Sequence, residues 1–517
     1  MKLIRLLAIS LALLLAATAF GKTLIIGVEG SPPTFDPLGS ADSRVNTPSI
    51  NMYNALMQFV PGTSEVVPEL AESFEVSADG MHYTFRLRAG VLFHDGSELT
   101  AEDVKYTIDR MLALQTGVAR SLGPVQGATV LNEGTVRIDL EFPFPSLPAA
   151  LARLYILNAD LVQANEEDGD WGQKWLQNNE AGSGPFQLVS FQPEQQFTMD
   201  RFDDYFAGFG DGAADTVIMR VIKEESTRRL ALERGDIDFA RIGSTDSFEA
   251  LADAPGIERF VNATLIQLYV AMNVNNENLS NPLVRQALTL VYDYEGHIDF
   301  VRNGLGEIAR GAFPASLKCH DSSIGPSQTD IELAKQLMAE AGVPDGGFEL
   351  SMAYQGTSPE ETATFQILQA GAAEIGIDVK GLPMEWPAKV DLFSSVDTAP
   401  DLGTVWVFPS FPDALTEYLL DKVHTSHIAE GGFNFSFYSN PEVDALIDAA
   451  QVELDDAARC DLVEQVQQIW LEDNPYINVT VGTELAAAHD YVENFVYTSS
   501  HAFTFYAYPI SIADKPE

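Results

Sequence analysis

The chain is short of positive charge. Lysine and arginine number 30 against 75 aspartates and glutamates in 517 residues, a formal net charge of −45. That balance excludes a basic nucleic-acid groove and charge-driven docking to an anionic membrane. It serves solubility or suits a saline habitat, and composition leaves both open. Cysteine is nearly absent. Cys319 and Cys460 are too few for a disulfide framework, but as an exported pair they could bond. Cys460 also shares a helical face with Val463, Val466 and Ile469, which suits a buried thiol equally well. Beyond residue 19 no apolar run is long enough to span a membrane. Repeats, low-complexity tracts and long flexible linkers are missing. So are catalytic sets: Gly182-Ser183-Gly184-Pro185-Phe186 has no Lys-Ser/Thr for a phosphate loop and lacks the spacing of a hydrolase elbow.

What is present begins with a leader. Lys2 and Arg5 precede an apolar run over 6–16, and Ala17-Thr18-Ala19 fits a small-x-small cleavage site. The expectation is a signal peptide over 1–19, with no cysteine after it to carry a lipid, and so a free periplasmic protein. The length predicts two or three domains, and a chain 46% hydrophobic can bury large cores.

Residues 67–104 show the most regular local physics. Phe74 and Val76 alternate with polar neighbours, and Ser77-Ala78-Asp79-Gly80 is turn chemistry. Tyr83, Phe85 and Leu87 then alternate as a half-buried strand. Thr100 stands three residues before Asp103, the spacing of a capping box, ahead of a helix that turns Val104, Ile108 and Met111 inward. A helix is predicted over 46–59, with Ile50, Tyr53, Leu56 and Met57 inward. An exposed acidic excursion is expected over 165–180.

Further on, Asn281 with Pro282, Ser358 with Pro359, and Asn440 with Pro441 each predict a capped helix start. Leu333, Leu337, Met338 and Ala341 predict one face of a helix ending at Gly342. Phe348, Leu350, Met352 and Tyr354 predict a strand, and Glu361 a second capping box. A helix ending at Gly376 and a strand over 377–380 complete a strand-helix-strand unit, hence a parallel pair.

The wording of 67–104 resembles the signature segment of the family 5 extracellular solute-binding proteins, the peptide- and nickel-binding type of bacterial ABC transporters. Ser31–Pro37, the Gly182–Phe186 element and residues 200–208 are similar to further family patterns. The resemblance implies an α/β, two-lobed periplasmic binding protein fold with hinge strands and an extra subdomain in the first lobe. The implied boundaries are lobe I over 20–268, with the subdomain roughly 60–190, lobe II over 269–484, and a return to lobe I over 485–517. The crossings would fall near 269–274 and 480–485.

By the same resemblance the cleft is lined from residues 386–438. The candidate ligand-binding residues are Trp386, Trp406, Phe408, Phe411, Asp413, Asn434 and Phe435. Gly431 and Gly432 would let backbone approach a ligand. In peptide-binding members an aspartate three residues after the motif tryptophan meets the ligand's ammonium. Here that position is Pro409, which carries no charge.

The implied function is the periplasmic solute-binding component of an ABC importer, monomeric, with no cofactor, no metal site and no catalysis. Its partners would be a permease, an ATPase and a small ligand: a peptide, a sugar oligomer, an opine-like compound or a chelated metal. The alternative is a secreted hydrolase using paired carboxylates. His424 with His427, and Cys319 beside His320, are minor candidates for metal contact.

Overall fold

The computed structural model describes residues 21–40, 42–428, 432–500 and 504–513. The leader expected over 1–19 lies outside them, as does Gly431.

One large sheet runs through the molecule. Its strand order is Ile377–Met384, Phe348–Gln355, Leu402–Val407, Ile257–Met272, Tyr476–His489, Phe239–Ile242, Thr23–Val28, Thr216–Val221, Gln196–Arg201 and Phe186–Gln192, with Glu307–Ile308 added on Tyr476–His489. The expected parallel unit is present: Phe348 pairs with Ile377 and Leu350 with Val379 in parallel register. Side chains from the two faces of each half feed separate cores. Leu24 and Ile26 enter one, while Ile25 packs on the other. In the other half, Tyr269, Val405 and Tyr476 face one core, and Leu268, Val270 and Met352 the opposite one.

Two long strands join the halves. Ile257–Met272 and Tyr476–His489 pair antiparallel along most of their length, but the register slips midway. Ala263 lies opposite Thr483 and Gln267 opposite Val481, so residues 264–266 face Gly482 alone. The bulge is held locally: the Thr264 hydroxyl donates to the Gly482 carbonyl at 2.7 Å, and the Ile266 N–H donates back to Thr264 Oγ1 at 3.0 Å. A bulge of this kind bends the ribbon and interrupts its ladder. On one side of it Phe239–Ile242 joins the sheet, and on the other Leu402–Val407.

The segment 67–104 builds a separate four-stranded sheet, ordered Ala71–Val76, His82–Leu87, Thr135–Leu140 and Val125–Asn132. Gly80 takes φ +70° in the expected turn. Helix Ala101–Leu114 covers this sheet with Val104, Ile108 and Met111. Each such fully buried side chain contributes about 1.5–3 kcal/mol. The Asp103 carboxylate accepts from the Thr100 N–H at 2.8 Å, as the capping spacing predicts.

Several local expectations are corrected. The helix over 46–59 stops at Met52, and 57–59 become a strand. The stop has a packing cause. Gly184 N–H donates to the Met52 carbonyl at 2.9 Å, and a Cβ on Gly182 would stand 1.9 Å from that oxygen. The glycines of Gly182-Ser183-Gly184 therefore permit close backbone approach. Leu333 is exposed, with Ala334 taking its place in the core. Glu361 does not close a capping box. It accepts from Lys389 Nζ at 2.9 Å as a buried ion pair. Residues 165–180 are no mere excursion: Leu176 is fully buried, and its carbonyl accepts from Phe35 N–H at 2.9 Å.

Candidate functional site

The loop 408–413 leaves the strand Leu402–Val407 and crosses to the small subdomain. Prolines at 409 and 412 keep it out of regular structure. Phe411 is buried in the subdomain's core, beside residues such as Leu38 and Leu122. A side chain from one half thus completes the core of the other.

Two cavities flank this loop. One, of 460 Å³, is walled by Ser43, Asn46 and Ser49, by Gly117 and Val118, by Arg153 and Tyr155, by Ser500, and across from them by Phe408, Pro409 and Ser410. Its size falls in the range of small-molecule sites. The other, of 670 Å³, lies between Pro145–Ala149 and residues 316–319, 412–415 and 456–463.

On the wall of the second cavity an ion pair of one half takes up a hydroxyl from the other. Asp413 Oδ1 accepts from Arg459 Nη2 at 2.9 Å and from the Ser146 hydroxyl at 3.1 Å, and Arg459 Nη2 also reaches Ser146 Oγ at 2.9 Å. Asp413 Oδ2 accepts from the Thr416 N–H at 3.0 Å. Burial raises the Asp413 carboxyl, but Arg459 and Thr416 outweigh it and hold it below the usual carboxylate range. Nearby, Arg120 meets Asp421 at 3.3 Å and stacks over Phe433 at 4.8 Å. Glu417 contacts Ser121 at 3.4 Å, and burial pushes it up to about 7. Burial also draws Lys422 down to about 8.

The predicted site residues separate sharply. Phe408 is exposed at 54% and lines the 460 Å³ cavity. Asp413 lines the other cavity, with its oxygens engaged as described. Trp406 is half-buried, 6.3 Å from Phe408, with the Arg302 guanidinium 5.9 Å above its ring. Trp386 opens the helix Trp386–Leu392 and packs near Phe433 and Phe435. Phe435 is buried and stacks on Phe393 at 4.8 Å. Asn434 is buried with its amide spent internally: it donates to the Tyr438 carbonyl at 2.8 Å and accepts from Ser436 Oγ at 2.9 Å. Gly432 serves packing, since a Cβ there would stand 2.0 Å from the His427 carbonyl oxygen.

The histidine pair does not converge. The rings of His424 and His427 are 6.4 Å apart, and each meets its own carboxylate, Asp448 at 3.2 Å and Asp421 at 2.8 Å. Among the described residues no group of three or more histidines, cysteines and acids is placed to hold a metal ion. Cys319 and Cys460 are joined as a disulfide, with Cα atoms 4.7 Å apart. His320 Nε2 donates to the Arg310 carbonyl at 2.7 Å.

Sequence reasoning missed the wall opposite Phe408. Asn46, Ser49, Arg153 and Ser500 come from three distant stretches. Arg153 had a signal, as the lone basic residue in the apolar run over 147–157.

A family model described as bacterial extracellular solute-binding proteins, family 5 middle, matches residues 65–422. Among similar proteins, the di/tripeptide-binding protein 2 of Pseudomonas aeruginosa is 29% identical over 500 residues, covering 91% of this chain and 92% of its own. A solved periplasmic binding protein, DppA from Helicobacter pylori in complex with the peptide STSA, superposes with TM-score 0.76 at 25% identity, covering 95% of this chain and 98% of that one. The binding protein AgaA from A. tumefaciens R10, in complex with agropinic acid, gives TM-score 0.73 at 25% identity, covering 96% and 99%.

Proposed function

The chain belongs to the bacterial extracellular solute-binding proteins of family 5, solute-binding components of ABC importers, and on that premise we propose how it captures its solute. It works in the periplasm as a monomer, closes two lobes on one small molecule and yields it unaltered to a membrane permease. The observation that carries this reading is the 460 Å³ cavity, walled by Ser43–Ser49 stretches and Arg153 on one side and by Phe408, Pro409 and Ser410 on the other. Contacts to both walls let a bound solute favour the closed state over the open one, a population shift.

The hinge is the bulged pair, residues 264–266 against Gly482, because few ladder bonds must change there when the lobes part. Lobe I then holds the chain up to the bulge and again beyond residue 483. Lobe II holds the strands between. The ligand is of the size that the similar proteins take, a short peptide or an opine-like acid. The hydrolase alternative has no support: the relatives are binding proteins, and no carboxylate stands among the described residues lining this cavity.

Native mass spectrometry of protein purified without denaturation tests the reading. The expected result is a single bound small molecule, recovered chemically unchanged after prolonged incubation. A bound molecule that is converted, or one still retained by a variant with the cavity filled by Ser49→Trp, contradicts it.

A further inference from the structure

Four arginines of this chain are buried, and none leaves a sealed nitrogen without a partner. Arg110 forks onto Asp36, with Nη1 to Oδ1 at 2.9 Å. Arg459 meets Asp413. Arg228 donates to the Ile222 carbonyl at 2.7 Å, and Arg285 to the carbonyls of Leu279 and Asp473 at 2.8 Å. Arg153 differs. Its Nη2 donates to Asn46 Oδ1 at 3.1 Å, a neutral acceptor. Its Nε and Nη1 are sealed from solvent and have no hydrogen-bond partner among the described residues. Ser500, 3% exposed on the same cavity wall, has its hydroxyl in the same condition.

The charge around Arg153 is equally uneven. Acids outnumber basic residues by more than two to one in this chain. Yet among the described residues lining the cavity, Arg153 is the one charged side chain. The opposite wall offers Phe408, Pro409 and Ser410, none of them a counter-ion for a cationic ligand group. A half-buried guanidinium with neither an anion nor a set of carbonyls around it is costly, and its planar fork of donors fits a carboxylate or a phosphate. Burial lowers the Arg153 pKa, in line with the absence of a close acid.

Resting on the reading of this cavity as the solute site, we propose that it selects a net-anionic solute whose oxyanion docks on the cavity-facing edge of the Arg153 guanidinium, the one charged group of its lining. The missing counter-ion at Pro409 makes a free ammonium on the solute a liability, so of the two ligand classes proposed above an opine-like acid is favoured over a zwitterionic peptide. Electroneutrality of the closed cavity is then completed by the solute itself.

The test uses a bacterial metabolite extract, split on an anion exchanger at pH 7 into retained and unretained fractions. Each is incubated with the full-length mature protein, and bound mass is read by native mass spectrometry. The expected result is a bound solute from the retained fraction only. Arg153→Gln should reduce that occupancy at least tenfold, and Arg153→Lys should restore part of it. Both variants should melt no lower than the parent, which separates lost binding from lost folding. Phosphatase treatment of the retained fraction identifies the source: binding that survives marks a carboxylate, and binding that vanishes marks a phosphate ester. Binding from the unretained fraction, or full occupancy in Arg153→Gln, overturns the anion subsite while leaving solute capture intact. No bound mass from either fraction overturns both.

Discussion

Two arginines stand on either side of the loop 408–413, Arg459 buried and Arg153 half-buried, and they are treated differently. Arg459 is met by Asp413, by the Ser146 hydroxyl and, through Nε, by the Ala450 carbonyl at 3.2 Å. Arg153 has one neutral amide oxygen. The first cluster is complete within the chain and joins the halves. The second is complete only with an anion added. Where polar groups answer one another, the fold is being fastened; where a charge is left unanswered in a cavity, a solute is expected.

The comparison can be broken first at the finished cluster. Asp413→Ala strands the Arg459 charge, both partners being about nine-tenths buried. It should cost about 3–5 kcal/mol in urea unfolding. Replacing both, as Asp413→Leu with Arg459→Met, should cost far less, because no charge is then left alone. An equal loss in single and double variants would show that the pair is not acting as a charge pair.

Cys460 adjoins Arg459, and its bond to Cys319 closes a loop of 141 residues. Reduction should lower stability by roughly 2–5 kcal/mol. An unchanged unfolding midpoint with reductant would contradict this.

On the unanswered side the sign reverses. Arg153→Met should leave ligand-free stability unchanged or raise it by about 1–4 kcal/mol, since it removes a half-buried charge that lacks a charged partner. A clear loss in the urea midpoint would mean that Arg153 is structural.

The smallest effect concerns pH. Glu417 is raised by burial to about 7 from its ordinary 4.5. Between those values the folded chain holds a proton that the unfolded chain has released. Its contribution to stability is therefore present below pH 4.5 and is lost as pH rises towards 7. Glu417→Gln should flatten that fall, while the part due to Glu69, also raised by burial to about 7, persists. Identical pH profiles for parent and variant would remove Glu417 from the account.

Much of the fold was legible because its signals are local. Asn281, Ser358 and Asn440 cap their helices through the side-chain oxygen, each with proline in the first turn. Gly342 and Gly376 take φ of +82° and +77° just past helix ends, where glycine carries no penalty. The helix lost after Met52 was not legible, because the backbone of residues 182–184, far along the chain, blocks it.

The site was less legible for the same reason. Its cavity is assembled from five separate stretches, and no local pattern states which of them meet. Aromatic density drew attention to residues 386–438, yet burial claimed Phe411 and Phe435 for cores. The residue that best marks the cavity is a single arginine in an apolar run, visible in the sequence but interpretable only once its neighbours are placed.

Small-angle scattering of the mature protein, before and after addition of the anion-exchanger-retained metabolites, tests the central claim most directly. A hinge at residues 264–266 and Gly482 predicts a smaller radius of gyration and maximum dimension on addition, with no such change for Arg153→Gln. The same envelope in the parent protein with and without a demonstrably bound solute would contradict closure of two lobes around it.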